Sequence, residues 1–172
     1  MTNVLTRLYH ALTGRERVTL NENERMLVLV NGRFDALLGP GDHLIRRDET
    51  TRERYRIDGF RFASVYDRAL FRARPDLVED HLIEVRTETG EVAVVTRDGR
   101  PVEVLLPEER VVYWRDAGPF EVIRHVLETD RRVDPALARR LKHADFSRGL
   151  RIVAVGEGHL GMLYLDGVLT DR

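Results

Sequence analysis

A glycine-rich segment has the spacing of a nucleotide-binding turn. Residues 156–161, Gly-Glu-Gly-His-Leu-Gly, match G-x-G-x-x-G and follow the apolar run 151–155. In dinucleotide-binding folds such a turn lets the backbone approach a pyrophosphate, and the helix that follows holds the phosphates at its N-terminus. Here β-forming residues and an Asp-Gly turn follow instead. The sequence therefore favours a turn between two strands over a nucleotide site.

Other residue types that support catalysis or metal binding lack the required spacing. The sequence has no cysteine, which excludes disulfides, cysteine-ligated zinc and a thiol nucleophile. The six histidines contain no metal-binding pair, and neither serine lies in G-x-S-x-G. Acidic pairs such as Glu108-Glu109 fall in predicted turns, where charge is ordinary. We therefore predict no catalytic residue, no metal and no cofactor, and we do not expect an enzyme.

The charge of the chain is nearly balanced but locally uneven. The sequence has 28 basic and 29 acidic side chains, which gives no general attraction to nucleic acid. Residues 124–151 carry eight basic against four acidic side chains. Such an excess fits either a solvated helix face, which we favour, or contact with an anionic surface. The candidate anionic-surface patch consists of Arg131, Arg132, Arg139, Arg140 and Lys142.

Three short turns recur at nearly equal spacing along the chain. The strands that they connect must position any functional site. Asn31-Gly32, Asp98-Gly99 and Asp166-Gly167 each lie between β-forming runs, and their glycines are 67 and then 68 residues apart. Asn-Gly and Asp-Gly favour the tight turns of β-hairpins, since both central residues adopt positive φ. A second turn, at Pro40-Gly41 and at Pro107, recurs with the same spacing of 67. The sequence therefore predicts repeated hairpins.

This register predicts an α+β fold made of tandem repeats of about 67 residues, each an antiparallel, hairpin-rich sheet followed by a helix. The second helix is the clearest, with Asp134 as N-cap and Pro135 in the first turn. Residues 55–62 alternate like a strand. We divide the chain into an N-terminal helix (1–17), a first repeat (18–84), a second repeat (85–149) and the start of a third, truncated repeat (150–172).

The third repeat stops five residues after its hairpin glycine, so its strand lacks the partner present in the first two. Unpaired strand groups need a partner. We expect either a longer protein, of which this chain is the front part, or completion of the strand by a partner chain. No run of about 18 apolar residues occurs, and we expect a cytoplasmic location, with the inner face of the membrane as an option.

Residues 23–45 resemble the opening hairpin and proline turn of the SPFH superfamily (stomatin, prohibitin, flotillin, band 7). The whole chain is similar to the N-terminal half of bacterial slipin-like proteins, which carry repeated hairpin units. This resemblance implies a non-catalytic scaffold that oligomerises at membranes; what carries over is the β-rich module and a binding role. It rests on Gly32, Arg33, Phe34, Pro40 and Gly41, echoed at Gly99, Arg100 and Pro107 and at Gly158, Gly161, Asp166 and Gly167.

Two classes of function remain open at this point. The first is a scaffold or binding module that acts through a protein partner or self-association, with peripheral membrane contact as an addition. The alternative is a small-molecule-binding domain or an enzyme, whose Arg, His and Glu residues meet only at a cleft between the two repeats. A pocket lined by such groups favours the alternative, whereas exposed strand edges favour the scaffold. The sequence identifies no small-molecule substrate, and a nucleic-acid partner is not expected.

Overall fold

The computed structural model describes residues 14–129, 132–144, 151, 153–165 and 167–171. The fold is α+β, with several antiparallel sheets. The first strands are β1 (Arg15–Leu20), β2 (Glu24–Val30), β3 (Arg33–Leu38), β4 (Gly41–Arg46) and β5 (Thr50–Arg56). Helices α1 (Asp67–Ala73) and α2 (Pro75–His81) follow. The remaining elements are β6 (Leu82–Arg86), β7 (Glu91–Arg97), β8 (Arg100–Leu105), β9 (Arg110–Trp114), β10 (Phe120–Val126), α3 (Pro135–His143), β11 (Leu163–Leu165) and β12 (Val168–Asp171).

The strand pairs follow the same order in two parts of the chain. In the first part β1 pairs with β4, and β2 lies between β3 and β5. In the second part β6 pairs with β9, and β7 lies between β8 and β10. Each part therefore has a two-stranded and a three-stranded antiparallel sheet. Strand β6 crosses the division at residues 84 and 85 that the sequence predicts between the first two repeats.

Alternating side chains pack these sheets in layers, because successive residues of a strand point to opposite faces. On β2, Met26 and Val28 pack with β1 and β4, whereas Leu27 and Leu29 contact a cluster that contains Trp114 of β9. The β6–β9 pair thus lies between the two three-stranded sheets, and its other face packs on β7 and β8 through Val85 and Tyr113. The far face of the second three-stranded sheet packs on Leu137 and Leu141 of α3.

The helix predicted from Asp134 and Pro135 is confirmed as α3. The Asp134 side chain accepts hydrogen bonds from the backbone N–H groups of Ala136 and Leu137, and Pro135 stands in the first turn. Leu137 and Leu141, one turn apart, are both buried. The helix therefore begins where the cap satisfies its first donors and turns one apolar stripe to the sheet.

Two predicted boundaries are wrong. The helix predicted over 1–17 falls mostly on residues 1–13, outside the described part, but residues 15–17 belong to β1. Pairing with β4 and the inward side chains of Val18 and Leu20 favour the strand there. The strand predicted over 55–62 ends at Arg56, and a 3-10 turn at Ile57–Gly59 follows. After this turn, Phe60 and Phe62 form backbone hydrogen bonds with Trp114 and Val112 of β9, so pairing with another layer overrides the local alternation.

None of the helices within the described residues has the length and apolar character needed to cross a bilayer.

Candidate functional site

The hairpin turns have the backbone that their residue types predict. Asn31 and Gly32 link β2 to β3 with φ of 51° and 72°, and Asp98 and Gly99 link β7 to β8 with φ of 50° and 71°. Gly167, with φ of 80°, precedes β12, while Asp166 lies outside the described residues. Gly41 begins β4 after Pro40, and Pro107 lies between β8 and β9. These residues shape the sheets and are distributed over separate turns rather than brought into one site.

The glycine-rich segment at residues 156–161 also forms a turn. Glu157 and Gly158 occupy it, the His159 N–H donates to the Gly156 carbonyl at 3.1 Å, and Gly158 has φ of 75°. The next regular element is strand β11, not a helix. The segment therefore lacks the helix N-terminus that holds a pyrophosphate in dinucleotide-binding folds.

An apolar surface surrounds the last hairpin. We call it the hairpin surface, and its members are large apolar residues between positions 153 and 169. Among the described residues, eight of the twelve exposed large hydrophobic side chains fall in this stretch, so the exposure is concentrated in one segment. Strands β11 and β12 pair only with each other in the described part of the chain. The members are Val153, Val155, Leu160, Met162, Leu163, Tyr164, Val168 and Leu169.

The predicted basic patch is in part a helix face. Arg139 and Lys142 of α3 are exposed and lie away from the buried stripe of the helix. Arg140 is engaged, because its guanidinium donates to the Gly99 carbonyl at 2.9 Å and fixes the helix to the β7–β8 turn. Arg132 is exposed ahead of the helix, and Arg131 lies outside the described residues. We call Arg139, Lys142 and the exposed His143 the α3 cationic face.

A polar groove of about 790 Å³ lies between α1 and the β6–β9 pair. One wall carries Arg68, Phe71 and Arg72 of α1. The opposite wall is formed by the turns after β6 and before β9, with Glu88 and Glu108. The volume is within the range of small-molecule sites, although this groove is open and rich in charged side chains.

Arg110 organises the base of this groove. Its guanidinium donates to both carboxylate oxygens of Asp67, at 2.6 and 2.8 Å, and it also bonds to Glu84. Its charge lies 4.7 Å from the centre of the Phe71 ring. The hydrogen bonds to Asp67, and then those to Glu84, raise the pKa of Arg110 above its ordinary value. Because two carboxylates already compensate its charge, Arg110 positions α1 against β6 and β9.

Arg68 and Arg72 differ from Arg110. Both are exposed, they are one helical turn apart on α1, and they make no hydrogen bond or ion pair within the described residues. On the other wall, Glu108 accepts a hydrogen bond from the Thr89 hydroxyl at 3.0 Å, and the Glu88 carboxylate makes none within the described residues. The groove therefore presents the Arg68 and Arg72 guanidinium groups on one side and the Glu88 and Glu108 carboxylates on the other, where Arg86 donates to Glu84 at 3.3 Å.

These groove residues were not selected from the sequence. The spacing of Arg68 and Arg72 was a usable signal, because residues four apart share a helix face. The opposite wall lies 16 to 40 positions further along the chain. Only the packing of α1 on the β6–β9 pair brings the two walls together. Within the described residues, no group of three or more histidine, aspartate or glutamate side chains is arranged to hold a metal ion.

Comparisons with protein-family models, with curated proteins and with solved structures find no significant match to the chain. Within the described residues, the candidate functional surfaces are the hairpin surface, the α3 cationic face and the groove.

Proposed function

We propose that the chain is a non-catalytic scaffold module that self-associates through the hairpin surface. The observation that carries this proposal is the exposure of Val153, Leu160, Met162 and Val168, at 71%, 69%, 57% and 65%. Large apolar side chains left exposed in one segment point to an interaction site in a folded protein. A two-stranded hairpin by itself is marginally stable in water, so β11 and β12 gain stability when another surface covers them.

The partner in this proposal is a second copy of the chain. Within the chain, the two-stranded β6–β9 sheet packs its apolar faces on two larger sheets. We expect the two-stranded β11–β12 sheet to be covered by a sheet in the same way. The exposed strand edges of β11 and β12 suit pairing with the same edges of another copy about a twofold axis. The net charge of −1 adds little repulsion between copies.

The proposal also assigns residues 18–84 and 85–149 as two copies of one unit and places the chain among slipin-like proteins of the SPFH superfamily, in the cytoplasm. The shared order of strand pairing and the recurrent Asn-Gly and Asp-Gly turns support the first assignment. The resemblance of residues 23–45 supports the second. A scaffold that acts through protein contacts is compatible with both assignments.

Sedimentation velocity over a wide concentration range tests self-association. We expect the unmodified chain to shift from monomer to a larger species as concentration rises, since association follows mass action. The double variant Leu160→Lys/Val168→Lys is expected to stay monomeric. Val65→Lys is the matched control, because Val65 is 89% exposed and lies outside the hairpin surface. A chain that remains monomeric at every concentration, or a control that dissociates as readily as the double variant, contradicts the proposal.

The α3 cationic face supports a second candidate function, peripheral contact with an anionic membrane. Arg139 and Lys142 point away from the core and are free to approach a negative surface. Each basic side chain near anionic lipid contributes ~1 kcal/mol, about fivefold in affinity. Contact through this face leaves the hairpin surface available for self-association.

Co-sedimentation with phosphatidylserine vesicles tests membrane contact. We expect binding that weakens with salt and that falls roughly 25-fold in Arg139→Gln/Lys142→Gln. Arg33→Gln/Arg100→Gln is the matched control, because it removes two exposed cations in hairpin turns. Equal losses in both variants indicate a general charge effect and refute a role for the α3 cationic face.

A further inference from the structure

We propose that the groove between α1 and the β6–β9 pair binds an amphoteric small ligand, with its phosphate on Arg68 and Arg72 and its amine on Glu88 and Glu108. The juxtaposition of two free guanidinium groups and two carboxylates across one groove carries this inference. Neither the hairpin surface nor the α3 cationic face takes part, so the inference goes beyond the proposed scaffold function.

The arginine wall fits an oxyanion. Arg68 and Arg72 carry like charges one turn apart on α1, a spacing that destabilises a helix unless an anion intervenes. Guanidinium groups donate in planar pairs that match phosphate and carboxylate oxygens. Since neither side chain has a hydrogen-bond or ion-pair partner within the described residues, all their donors are available.

The base of the groove holds this wall in place. The bidentate contact of Arg110 with Asp67 fixes the first turn of α1, and the contact with Glu84 fixes the same guanidinium to β6. Burial of Leu70 in the core secures α1 from its other face. The Arg68 and Arg72 stems thus start from a fixed backbone, which lowers the entropy lost when a ligand binds.

The carboxylate wall selects against a simple polyanion. Glu88 and Glu108 repel a second negative group but accept hydrogen bonds from an ammonium. The Thr89 hydroxyl donates to Glu108 and holds one of these carboxylates. A compound that carries a phosphate and a primary amine satisfies both walls. Such a group occurs in free phosphoethanolamine and in the headgroup of phosphatidylethanolamine, and the shared phosphate-amine chemistry is what the groove recognises.

Isothermal titration calorimetry with phosphoethanolamine tests the inference, with inorganic phosphate and ethanolamine as half-ligands. We expect phosphoethanolamine to bind about tenfold more tightly than inorganic phosphate, because it uses both walls. Ethanolamine alone is expected to bind more weakly still. Equal affinities for phosphoethanolamine and inorganic phosphate, or no binding of phosphoethanolamine, overturn the proposal.

Variants of each wall separate their contributions. Arg68→Gln/Arg72→Gln is expected to lower the affinity for phosphoethanolamine about tenfold or more, whereas Arg33→Gln/Arg100→Gln, which removes two exposed arginines outside the groove, leaves it within twofold. Glu88→Gln is expected to reduce the preference for phosphoethanolamine over inorganic phosphate. Unchanged binding in the double arginine variant, with circular dichroism like that of the unmodified chain, overturns the proposal.

A vesicle-binding experiment distinguishes a free ligand from a lipid headgroup. Vesicles of phosphatidylethanolamine in phosphatidylcholine are compared with phosphatidylcholine alone, whose quaternary ammonium offers no N–H donor to Glu88. Recruitment that is lost in Arg68→Gln/Arg72→Gln supports the groove with a lipid-borne headgroup, and binding of the soluble compound alone supports a free metabolite. The readout is independent of self-association, which the hairpin variants report.

Discussion

The two three-stranded sheets share one order of strand pairing. They differ in what covers the face that each turns away from its own two-stranded sheet, β1–β4 for the first and β6–β9 for the second. The β3-β2-β5 sheet meets strands β6 and β9 of the next part of the chain, and the contact is aromatic, with Tyr55 and Phe62 rings 5.4 and 5.0 Å from Trp114. The β10-β7-β8 sheet meets α3, and the contact is aliphatic, through Leu137 and Leu141.

This difference shows that a half-buried sheet face does not itself specify its cover. Leu27 and Leu29 in β2, like Val94 and Val104 in the second sheet, are apolar residues that either a strand pair or an amphipathic helix can bury. The cover of the first sheet combines the β6–β9 pair with Leu70 of α1, whereas the second sheet packs on Leu137 and Leu141 of α3. The aromatic contact buries more area per residue, so it is expected to contribute more to stability.

The largest expected effect comes from the aromatic contact. Trp114 is 1% exposed, and Trp114→Ala is expected to lower the free energy of unfolding by about 3–5 kcal/mol through lost burial and a cavity. Leu141→Ala, at a similarly buried position of the aliphatic contact, is expected to cost about 2–3 kcal/mol. Urea unfolding followed by circular dichroism measures both, since Trp114 is the single tryptophan. A larger loss in Leu141→Ala reverses the ranking of the two contacts.

Each three-stranded sheet holds one buried charged side chain of opposite sign: Arg25 in the first sheet pairs with the half-exposed Asp116, and Glu103 in the second pairs with the exposed Arg61. Arg25 of β2 is 4% exposed, and its guanidinium donates to Asp116 at 2.7 and 3.1 Å and to the carbonyls of Glu22 and Glu24. The position of Arg25 in the register of 67 is occupied by Val92 in the second sheet. The Arg25–Asp116 pair therefore ties the first sheet to the β9–β10 connection.

Asp116→Ala leaves the Arg25 guanidinium buried with only two carbonyl acceptors. We expect a loss of ~1–3 kcal/mol in the free energy of unfolding, since a buried donor loses its charged partner. Asp116→Asn keeps one acceptor and is expected to lose less. Urea titration of both variants against the unmodified chain measures the difference, and equal losses would falsify the hydrogen-bonding role of the carboxylate.

Local structure was predictable where one residue type decides the backbone. Asn31-Gly32 and Asp98-Gly99 adopt positive φ because their turns require it, and Asp134 caps α3 through its own carboxylate. The residues that join layers were not predictable. Arg25 and Asp116 lie 91 positions apart, and no local pattern pairs them. The departure of residues 57–62 from the predicted strand has the same origin, since β9 supplies the backbone partners of Phe60 and Phe62.

A smaller effect is expected at the helix that covers the second sheet. Asp134→Ala removes the acceptor of two backbone N–H groups, and we expect α3 to lose ~1 kcal/mol. Asp134→Asn, which retains a capping oxygen, is the control. Hydrogen exchange at the first turn of α3 and at β3 measures the change, and protection is expected to fall at α3 alone. If protection falls equally at β3, the Asp134 cap does not act only on α3 and its contact with the second sheet.

The smallest effect concerns pH and compares Tyr113, which is buried, with Tyr55, which is partly exposed. Burial, and then the hydrogen bond from the Tyr113 hydroxyl to Glu103, raises the pKa of Tyr113 above its ordinary value; burial, and then Glu53, does the same for the pKa of Tyr55. Unfolded tyrosine ionises near pH 10. Above that pH the folded chain retains protons that the unfolded chain loses, so the free energy of unfolding falls as pH rises.

Tyr113→Phe and Tyr55→Phe are each expected to reduce this alkaline loss by the same amount, ~1 kcal/mol or less at pH 10.5, because both hydroxyls stay protonated in the folded chain at that pH and the loss then depends on the unfolded pKa. Tyr113 is fully buried, whereas Tyr55 is partly exposed, so ionised Tyr55 can gain solvation that ionised Tyr113 cannot. Chemical unfolding at pH 8 and pH 10.5 gives the slopes, and the single lysine of the chain, Lys142, limits competing titration in this range. A clearly smaller effect of Tyr55→Phe would show that the partly exposed Tyr55 begins to ionise in the folded chain near this pH, and that the aromatic contact of the first sheet shields its hydroxyl less than the layer around Tyr113 shields the Tyr113 hydroxyl.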